Sequence, residues 1–195
     1  MRITGGEAAR RILRVPKGLD VRPTPDRVKQ AVFNSLGERI LGARVLELFG
    51  GSGALSLEAL SRGCASALCL EKSPRHAEFI RRNAEAAGYG ATKFHVRVQD
   101  VFAALPQLAA AGAQFDLILA DPPYGEKNVG RRSTSLAQKS LDDPHLPGLL
   151  AAGGRLVLGH ARRDTLEIPA PWRAVKALTH GDNVMRFLEL PGPAA

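Results

Sequence analysis

Residues 44–63, RVLELFGGSGALSLEALSRG, run from a short apolar segment (Arg44 to Leu48) through Phe49-Gly50-Gly51-Ser52-Gly53 into a helical pattern that stops at Gly63. A strand, a glycine turn and a helix in immediate succession mark the opening of a β-α unit, and sheets built from such units bind ligands at the carboxyl ends of their strands. Glycine in the turn permits tight backbone angles and close approach of the main chain to a ligand. Gly63 suits the left-handed residue that closes a helix.

The same alternation continues on either side. Ala67 to Leu70, Lys93 to Val98, Phe115 to Ala120 and Gly154 to Gly159 read as further strands, short and bounded by glycine or acid. The segment Ser73 to Ala87 reads as a helix, with Ser73 as N-cap, Pro74 at its first position, Ala77, Ile80, Ala84 and Ala87 on one face, and Gly88 as its stop. The expected class is α/β, a mostly parallel sheet covered by helices on both faces. Trp172 to Leu178 and Val184 to Leu190 flank the turn-prone His180-Gly181-Asp182-Asn183 and are expected to finish the sheet as an antiparallel hairpin. At the other end, Thr24 as N-cap and Pro25 open a helix with Val28, Val32, Leu36 and Ile40 along one side, preceded by a Gly-, Pro- and Arg-rich segment expected to form a short hairpin. The organisation expected is a basic extension over 1–41, a central domain over 42–190 and a disordered tail over 191–195.

Composition narrows the function classes. Apolar residues make 45% and charged residues 24% of the 195, ordinary globular values that exclude a wholly disordered chain. The longest apolar stretches are strand-sized, far below the roughly 20 residues of a spanning helix, so no membrane association is expected. Met1 to Val15 mixes four arginines with isolated apolar residues, unlike a secretory leader, and a cytoplasmic location is expected. Cys64 and Cys69 read as packing residues, and His76, His95, His145, His160 and His180 show no metal-ligand spacing, so no metal is expected. Lys and Arg outnumber Asp and Glu by 27 to 19, and residues 1–30 hold eight positive groups against three acids. That asymmetry points either to a solvated basic arm or to a polyanion, with nucleic acid the first candidate and Arg10, Arg11, Arg22 and Arg27 the contacts to its phosphates.

The candidate site residues sit at strand ends. Glu71, 18 residues beyond Gly53, is placed to accept hydrogen bonds from the two hydroxyls of a ribose. A dinucleotide fingerprint would place Gly or Ala where this chain has Ser56, and a plain structural turn would explain the glycines alone. Asp100 follows the strand Lys93 to Val98 and could equally cap a helix. Asp121-Pro122-Pro123-Tyr124 follows the very apolar Phe115 to Ala120. Prolines there stiffen the chain and hold a carboxylate, a carbonyl and an aromatic ring in fixed relation. If Asp121 and the Pro122 carbonyl accept the two hydrogens of an exocyclic base amine, its lone pair becomes available to an electrophilic methyl group, while Tyr124 stacks on the base.

These residues resemble S-adenosylmethionine-dependent amino methyltransferases. More narrowly, Arg22-Pro23-Thr24-x-Asp26-Arg27-Val28, Phe33-Asn34-x-Leu36 and residues 51–63 resemble the RsmD-type enzymes that modify guanine N2 in small-subunit (16S) ribosomal RNA. The resemblance implies a Rossmann-like class I methyltransferase fold, a seven-stranded sheet with a C-terminal antiparallel hairpin, and direct methyl transfer without a covalent enzyme intermediate. It implies that Glu47, Phe49, Gly51 and Gly53 line the methionine end of S-adenosylmethionine, that Glu71 meets its ribose and Asp100 its adenine amino group, and that Asp121, Pro122 and Tyr124 hold the target base. The implied partner is ribosomal RNA within a small subunit or its precursor, met by a monomeric enzyme. Departures are Glu47 for the usual Asp, Gly50 for Ala, Ser56 for Gly, Arg10 for Gly, and His180-Gly181 for Tyr-Gly. An adenine-N6 DNA methyltransferase and a non-catalytic ribosomal RNA-binding assembly factor remain alternatives.

Overall fold

The computed structural model describes residues 1–15, 24–124, 128 and 131–192. Arg22 and the tail residues 193–195 lie outside them. The chain divides into two units, Met1–Val101 and Phe102–Ala195, and its strands form one seven-stranded sheet in the order β3-β2-β1-β4-β5-β7-β6.

In the first unit β1 (Arg44–Leu48), β2 (Ser66–Glu71) and β3 (Phe94–Val98) pair in parallel, with Glu47 opposite Cys69 and Glu71 opposite Val98. All but the first residue of β1 are buried, as a strand covered on both faces requires. Helix α2 (Ala54–Ser61) is buried at every position. Gly53, in the left-handed region at φ 72, is its N-cap, and Arg62 is its C-cap, one residue before the expected stop at Gly63. Helix α3 (Pro74–Ala87) is built as its sequence dictates: the Ser73 hydroxyl accepts the His76 N–H at 3.3 Å, Pro74 sits at the first position, and Gly88 ends it at φ 87. Cys64 and Cys69 are free thiols buried in packing; burial pushes the Cys64 thiol up to about 12.

The N-terminal residues form a hairpin in which the Ile3 N–H donates to the Arg11 carbonyl at 2.9 Å and the Leu13 N–H to the Met1 carbonyl at 3.0 Å. Its turn rests on the end of α2. A Cβ at Gly6 would lie 1.7 Å from the Ser61 carbonyl oxygen, so only glycine permits that approach. Arg10, where the resembled family has Gly, adopts φ 73, in the left-handed region that glycine occupies most easily.

Helix α1 (Asp26–Leu36) starts one residue later than expected: Pro25 is the N-cap, and its carbonyl accepts from the N–H groups of Val28 and Lys29. It also stops before Ile40, because Gly37 turns to φ 55 and a short 3-10 turn, Gly37–Ile40, carries Ile40 into the core. Lys29, fully buried on α1, lies 3.7 Å from Asp26 Oδ1 and 3.7 Å from Glu58 Oε2. Burial lowers its pKa, opposed by the charges of Glu58 and Asp26. Glu58, itself buried on α2, also accepts the Thr4 N–H and hydroxyl at 2.7 Å each and Arg62 Nε at 2.8 Å. One carboxylate thus joins the hairpin, α1 and α2.

In the second unit β4 (Phe115–Ala120) pairs in parallel with β5 (Leu150–Ala161), and β7 (Asn183–Glu189) pairs antiparallel with both β5 and β6 (Arg173–His180). The hairpin turns through Gly181 at φ 60, as the turn residues suggested. Strand β5 is longer at both ends than Gly154 to Gly159, extended by pairing with β7 as far as Ala161. Two helices carry little local signal: α4 (Val101–Ala110) contains Pro106, and α5 (Leu136–Asp142) is only seven residues long. No helix among the described residues is long and apolar enough to cross a membrane.

The Glu58 junction should dominate the stability of the extension. Glu58→Ala removes the fully buried carboxylate partner of Lys29, leaving it only the part-exposed Asp26 and the Arg2 carbonyl, and should cost about 3–5 kcal/mol in urea unfolding. A loss below about 1 kcal/mol would contradict this account of the junction.

Candidate functional site

The glycine loop after β1 is held in an unusual shape. Phe49, Gly51 and Gly53 have φ of 61, 56 and 72, all in the left-handed region. The Gly51 N–H donates to Glu71 Oε2 at 2.7 Å, and the Ser73 N–H donates to Glu71 Oε1 at 2.8 Å. Glu71 therefore fixes the loop and the start of α3 together. The loop also presses on its neighbours: a Cβ at Gly50 would stand 2.4 Å from Cys69 Sγ, and one at Gly53 2.7 Å from Ile80 Cγ2. Within the loop Ser52 and Gly53 are buried, whereas Phe49 and Gly51 keep partial exposure.

Glu47 and Glu71 do different work although both are buried acids at neighbouring strand ends. The Glu47 carboxylate turns into α2, accepting the Leu55 N–H at 3.3 Å on one oxygen and the Ser56 N–H at 3.0 Å on the other. Burial raises its pKa to about 7, against the lowering effect of hydrogen bonds from Ser56, Cys69 and Leu55. A helix N-terminus is where a pyrophosphate would bind, and here a carboxylate of the chain already fills it. That occupancy disfavours a dinucleotide and leaves a nucleoside ligand without phosphates as the fitting class.

Glu71, with one amide on each oxygen, keeps a second lone pair on each for a further donor. The Gln99 N–H donates to the Glu71 carbonyl at 3.0 Å, which sets the end of β3 beside that of β2. Asp100, exposed, follows at once and precedes α4. The first unit thus brings Glu47, the glycine loop, Glu71 and Asp100 to the carboxyl ends of its parallel strands. His76, which no spacing in the sequence marks, sits with Nδ1 3.6 Å from Glu71 Oε1 and Nε2 buried without a hydrogen-bond partner. Asn83 was equally silent. Its Nδ2 donates to the Arg14 carbonyl at 2.9 Å and the Ser52 carbonyl at 3.3 Å, and its Oδ1 accepts the Arg14 N–H at 2.9 Å, strapping the end of the hairpin to the glycine loop.

In the second unit Asp121-Pro122-Pro123-Tyr124 leaves the carboxyl end of β4. The Asp121 carboxylate lies directly over Gly159 of β5: a Cβ there would be 2.3 Å from Asp121 Oδ1 and 3.1 Å from its Cγ. The absence of a side chain at 159 is what admits the carboxylate. Pro122 is buried, Pro123 exposed, and Tyr124 half-buried with its hydroxyl donating to Asn183 Oδ1 at 2.5 Å.

The basic residues of the extension fare differently. Arg10 and Arg27 are exposed. Arg11 is also exposed, but its guanidinium donates to the Ala86 carbonyl in the last turn of α3, a favourable place for a cation. Arg2 pairs with Asp26 at 3.1 Å.

Known proteins share this arrangement of sequence and fold. A family model described as Conserved hypothetical protein 95 matches residues 1–189. The Bacillus subtilis (strain 168) protein YlbH, whose name assigns it provisionally to the rRNA methyltransferases, is 35% identical over 194 residues, covering 98% of this chain and 94% of its own length. Ribosomal RNA small subunit methyltransferase D of Escherichia coli (strain K12) is 37% identical over 124 residues, 64% of this chain and 60% of that protein. The solved Escherichia coli yhhF structure, described provisionally as a methyltransferase, aligns over 98% of both chains with a TM-score of 0.79 and 28% identity.

The environment of Glu47 is open to direct test. A carbon-detected NMR titration should place its carboxyl midpoint at about 7. Because the folded value is raised above the ordinary carboxylate value of 4.5, the folded state holds this proton more tightly, so its contribution to stability is largest at low pH and declines as pH rises from about 4.5 to about 7. A midpoint at the ordinary value would contradict the buried setting.

Proposed function

This chain belongs to the conserved hypothetical protein 95 family, the RsmD-type methyltransferases, and we propose that it methylates small-subunit ribosomal RNA from S-adenosylmethionine, at the exocyclic N2 amine of a guanine. The observation that carries the reading is the Asp121 carboxylate, lodged against the bare backbone of Gly159 at the head of a proline-stiffened Asp-Pro-Pro-Tyr. Such a carboxylate, with the Pro122 carbonyl beside it in the chain, can accept both hydrogens of an amine and orient its lone pair, while Tyr124 offers a ring for stacking. Support for ribosomal RNA comes from the names of the relatives; the choice of guanine N2 rests on the sequence resemblance.

The residues of the first unit fit the cofactor. A loop whose backbone is exposed at Gly51, an apolar ring at Phe49 and an acceptor-only carboxylate at Glu71 are the groups a nucleoside with a thioether or sulfonium tail requires. When bound, S-adenosylmethionine supplies an electrophilic methyl group on a positive sulfur, so the protein needs no nucleophile of its own. Glu71 would accept the ribose hydroxyls and Asp100 the adenine amino group. Phe49, Gly51 and Gly53 would face the methionine end. Glu47 would serve that end indirectly, holding α2 and hence the loop. The mostly parallel sheet with its antiparallel C-terminal hairpin is the Rossmann-like fold of class I methyltransferases.

RNA affinity is assigned to the extension, where Arg10, Arg11, Arg22 and Arg27 would neutralise phosphates without reading bases. Arg11 would do so from its seat at the end of α3. Phosphate contacts of this kind offset the cost of presenting an unstacked base to the ring of Tyr124.

The test is incubation with methyl-labelled cofactor and 16S RNA or small subunits from a strain lacking the activity, followed by nucleoside analysis. Label should appear in N2-methylguanosine, and label confined to another nucleoside or to DNA would overturn the target. Asp121→Ala should lower single-turnover transfer by about a hundredfold or more with cofactor affinity retained. Gly159→Ala, which displaces the same carboxylate, should act in the same direction; transfer at the wild-type rate in both variants would refute the role of Asp121.

A further inference from the structure

We propose that Asn183, in the C-terminal hairpin, is a positioning residue that fixes the ring of Tyr124 for the target base. The inference rests on the reading of Asp-Pro-Pro-Tyr given above and assigns a role in the site to a hairpin that the sequence marks only as the end of the sheet.

Asn183 is the first residue of β7 and is held on both sides: it pairs with Ala161 of β5 and with His180 of β6. The adjoining turn is tied down as well, because the Arg162 N–H donates to the Asp182 carbonyl at 2.7 Å. Asn183 is 7% exposed, and its Oδ1 accepts the Tyr124 hydroxyl at 2.5 Å, at the short end of the O–H···O range. The phenol ring is thereby restrained at Cβ by a proline-preceded backbone and at Oη by a paired strand. Without the acceptor the ring would gain freedom to swing, and ordering it would fall on the step that brings in the base.

An amide suits the task. It accepts the phenolic proton without a charge of its own beside the stacking face, and the hydroxyl needs an acceptor because the site is half-buried. The residues lie 59 apart in sequence, so nothing local in either segment foretells the contact.

The chain has only two tyrosines, so in a Tyr89→Phe background ring-13C tyrosine gives one protein resonance set, that of Tyr124. Asn183→Leu, close in shape but without an acceptor, should move that signal toward the free amino-acid position and narrow it; Asn183→Asp, which keeps the acceptor, should not. In methyl transfer to 16S RNA or small subunits, Asn183→Leu and Tyr124→Phe should each lower kcat about fivefold to tenfold, the loss of one hydrogen bond, with the KM for S-adenosylmethionine unchanged. The double variant should be no slower than either single, and Asn183→Asp should recover at least about half the rate lost. Should Asn183→Leu fail to fold, Tyr124→Phe, which removes only the hydroxyl, carries the same expectation. An unchanged resonance, losses that multiply in the double variant, or a wild-type kcat for Asn183→Leu and Tyr124→Phe while Tyr124→Ala abolishes transfer would each overturn the role of Asn183. Wild-type transfer by Tyr124→Ala would instead remove the tetrapeptide reading, and this inference with it.

Discussion

Glu71 binds two backbone amides with its two oxygens, Gly51 on one side and Ser73 on the other, and the geometry of the first unit's strand ends follows from that clamp. A charge-assisted hydrogen bond from an amide to a carboxylate contributes about 1.5–3 kcal/mol, and two of them can hold a loop that has three left-handed residues in five positions. Glycine at 51 and 53 makes that shape accessible; the carboxylate makes it the one adopted. The same clamp seats Ser73, whose hydroxyl then caps α3. Glu47, one strand over, fastens the far side of the loop through the first-turn amides of α2. Two acids thus shape one loop, Glu47 from the side of α2 and Glu71 from the side of α3.

The second unit reaches rigidity by different means. There the chain is stiffened covalently by Pro122 and Pro123, the Asp121 carboxylate is admitted by the missing side chain of Gly159, and the Tyr124 hydroxyl is anchored by Asn183. Each device restricts a group before any substrate is present, which is how preorganised polar sites gain their advantage over water. The extension follows the same logic on a larger scale. Glu58, with Lys29, Thr4 and Arg62 around it, ties the basic hairpin to α1 and α2, and Asn83 ties its end to the glycine loop. A basic arm fastened at these points presents its arginines from a fixed base.

Much of this is legible in the sequence, and what is not has a common cause. Strands Arg44–Leu48 and Phe115–Ala120 and the caps of α3 emerge from local pattern alone, since burial, serine, proline and glycine act over a few residues. Glu71 and Asp121 are legible as acids at strand ends for the same reason. The end of α1 at Gly37 competes with an apolar periodicity that carries on to Ile40, and the glycine wins. Residues whose role depends on a distant partner leave no such trace. Asn183 meets Tyr124, Gly159 meets Asp121, Asn83 meets Arg14 and Ser52, and His76 stands beside Glu71 because the fold delivers it there. Glu47, conspicuous beside the glycines, is legible as an acid at a strand end, whereas the α2 amides that its oxygens accept are not.

Glu71 shapes the glycine loop, and the proposed function has the same carboxylate hold the nucleoside. Titration calorimetry of Glu71→Ala with S-adenosylhomocysteine, on protein shown by circular dichroism to be folded, addresses it without requiring an RNA substrate. Affinity lower than wild type by about tenfold or more is expected, from the loss of charge-assisted hydrogen bonds. Wild-type affinity in the folded variant would contradict it.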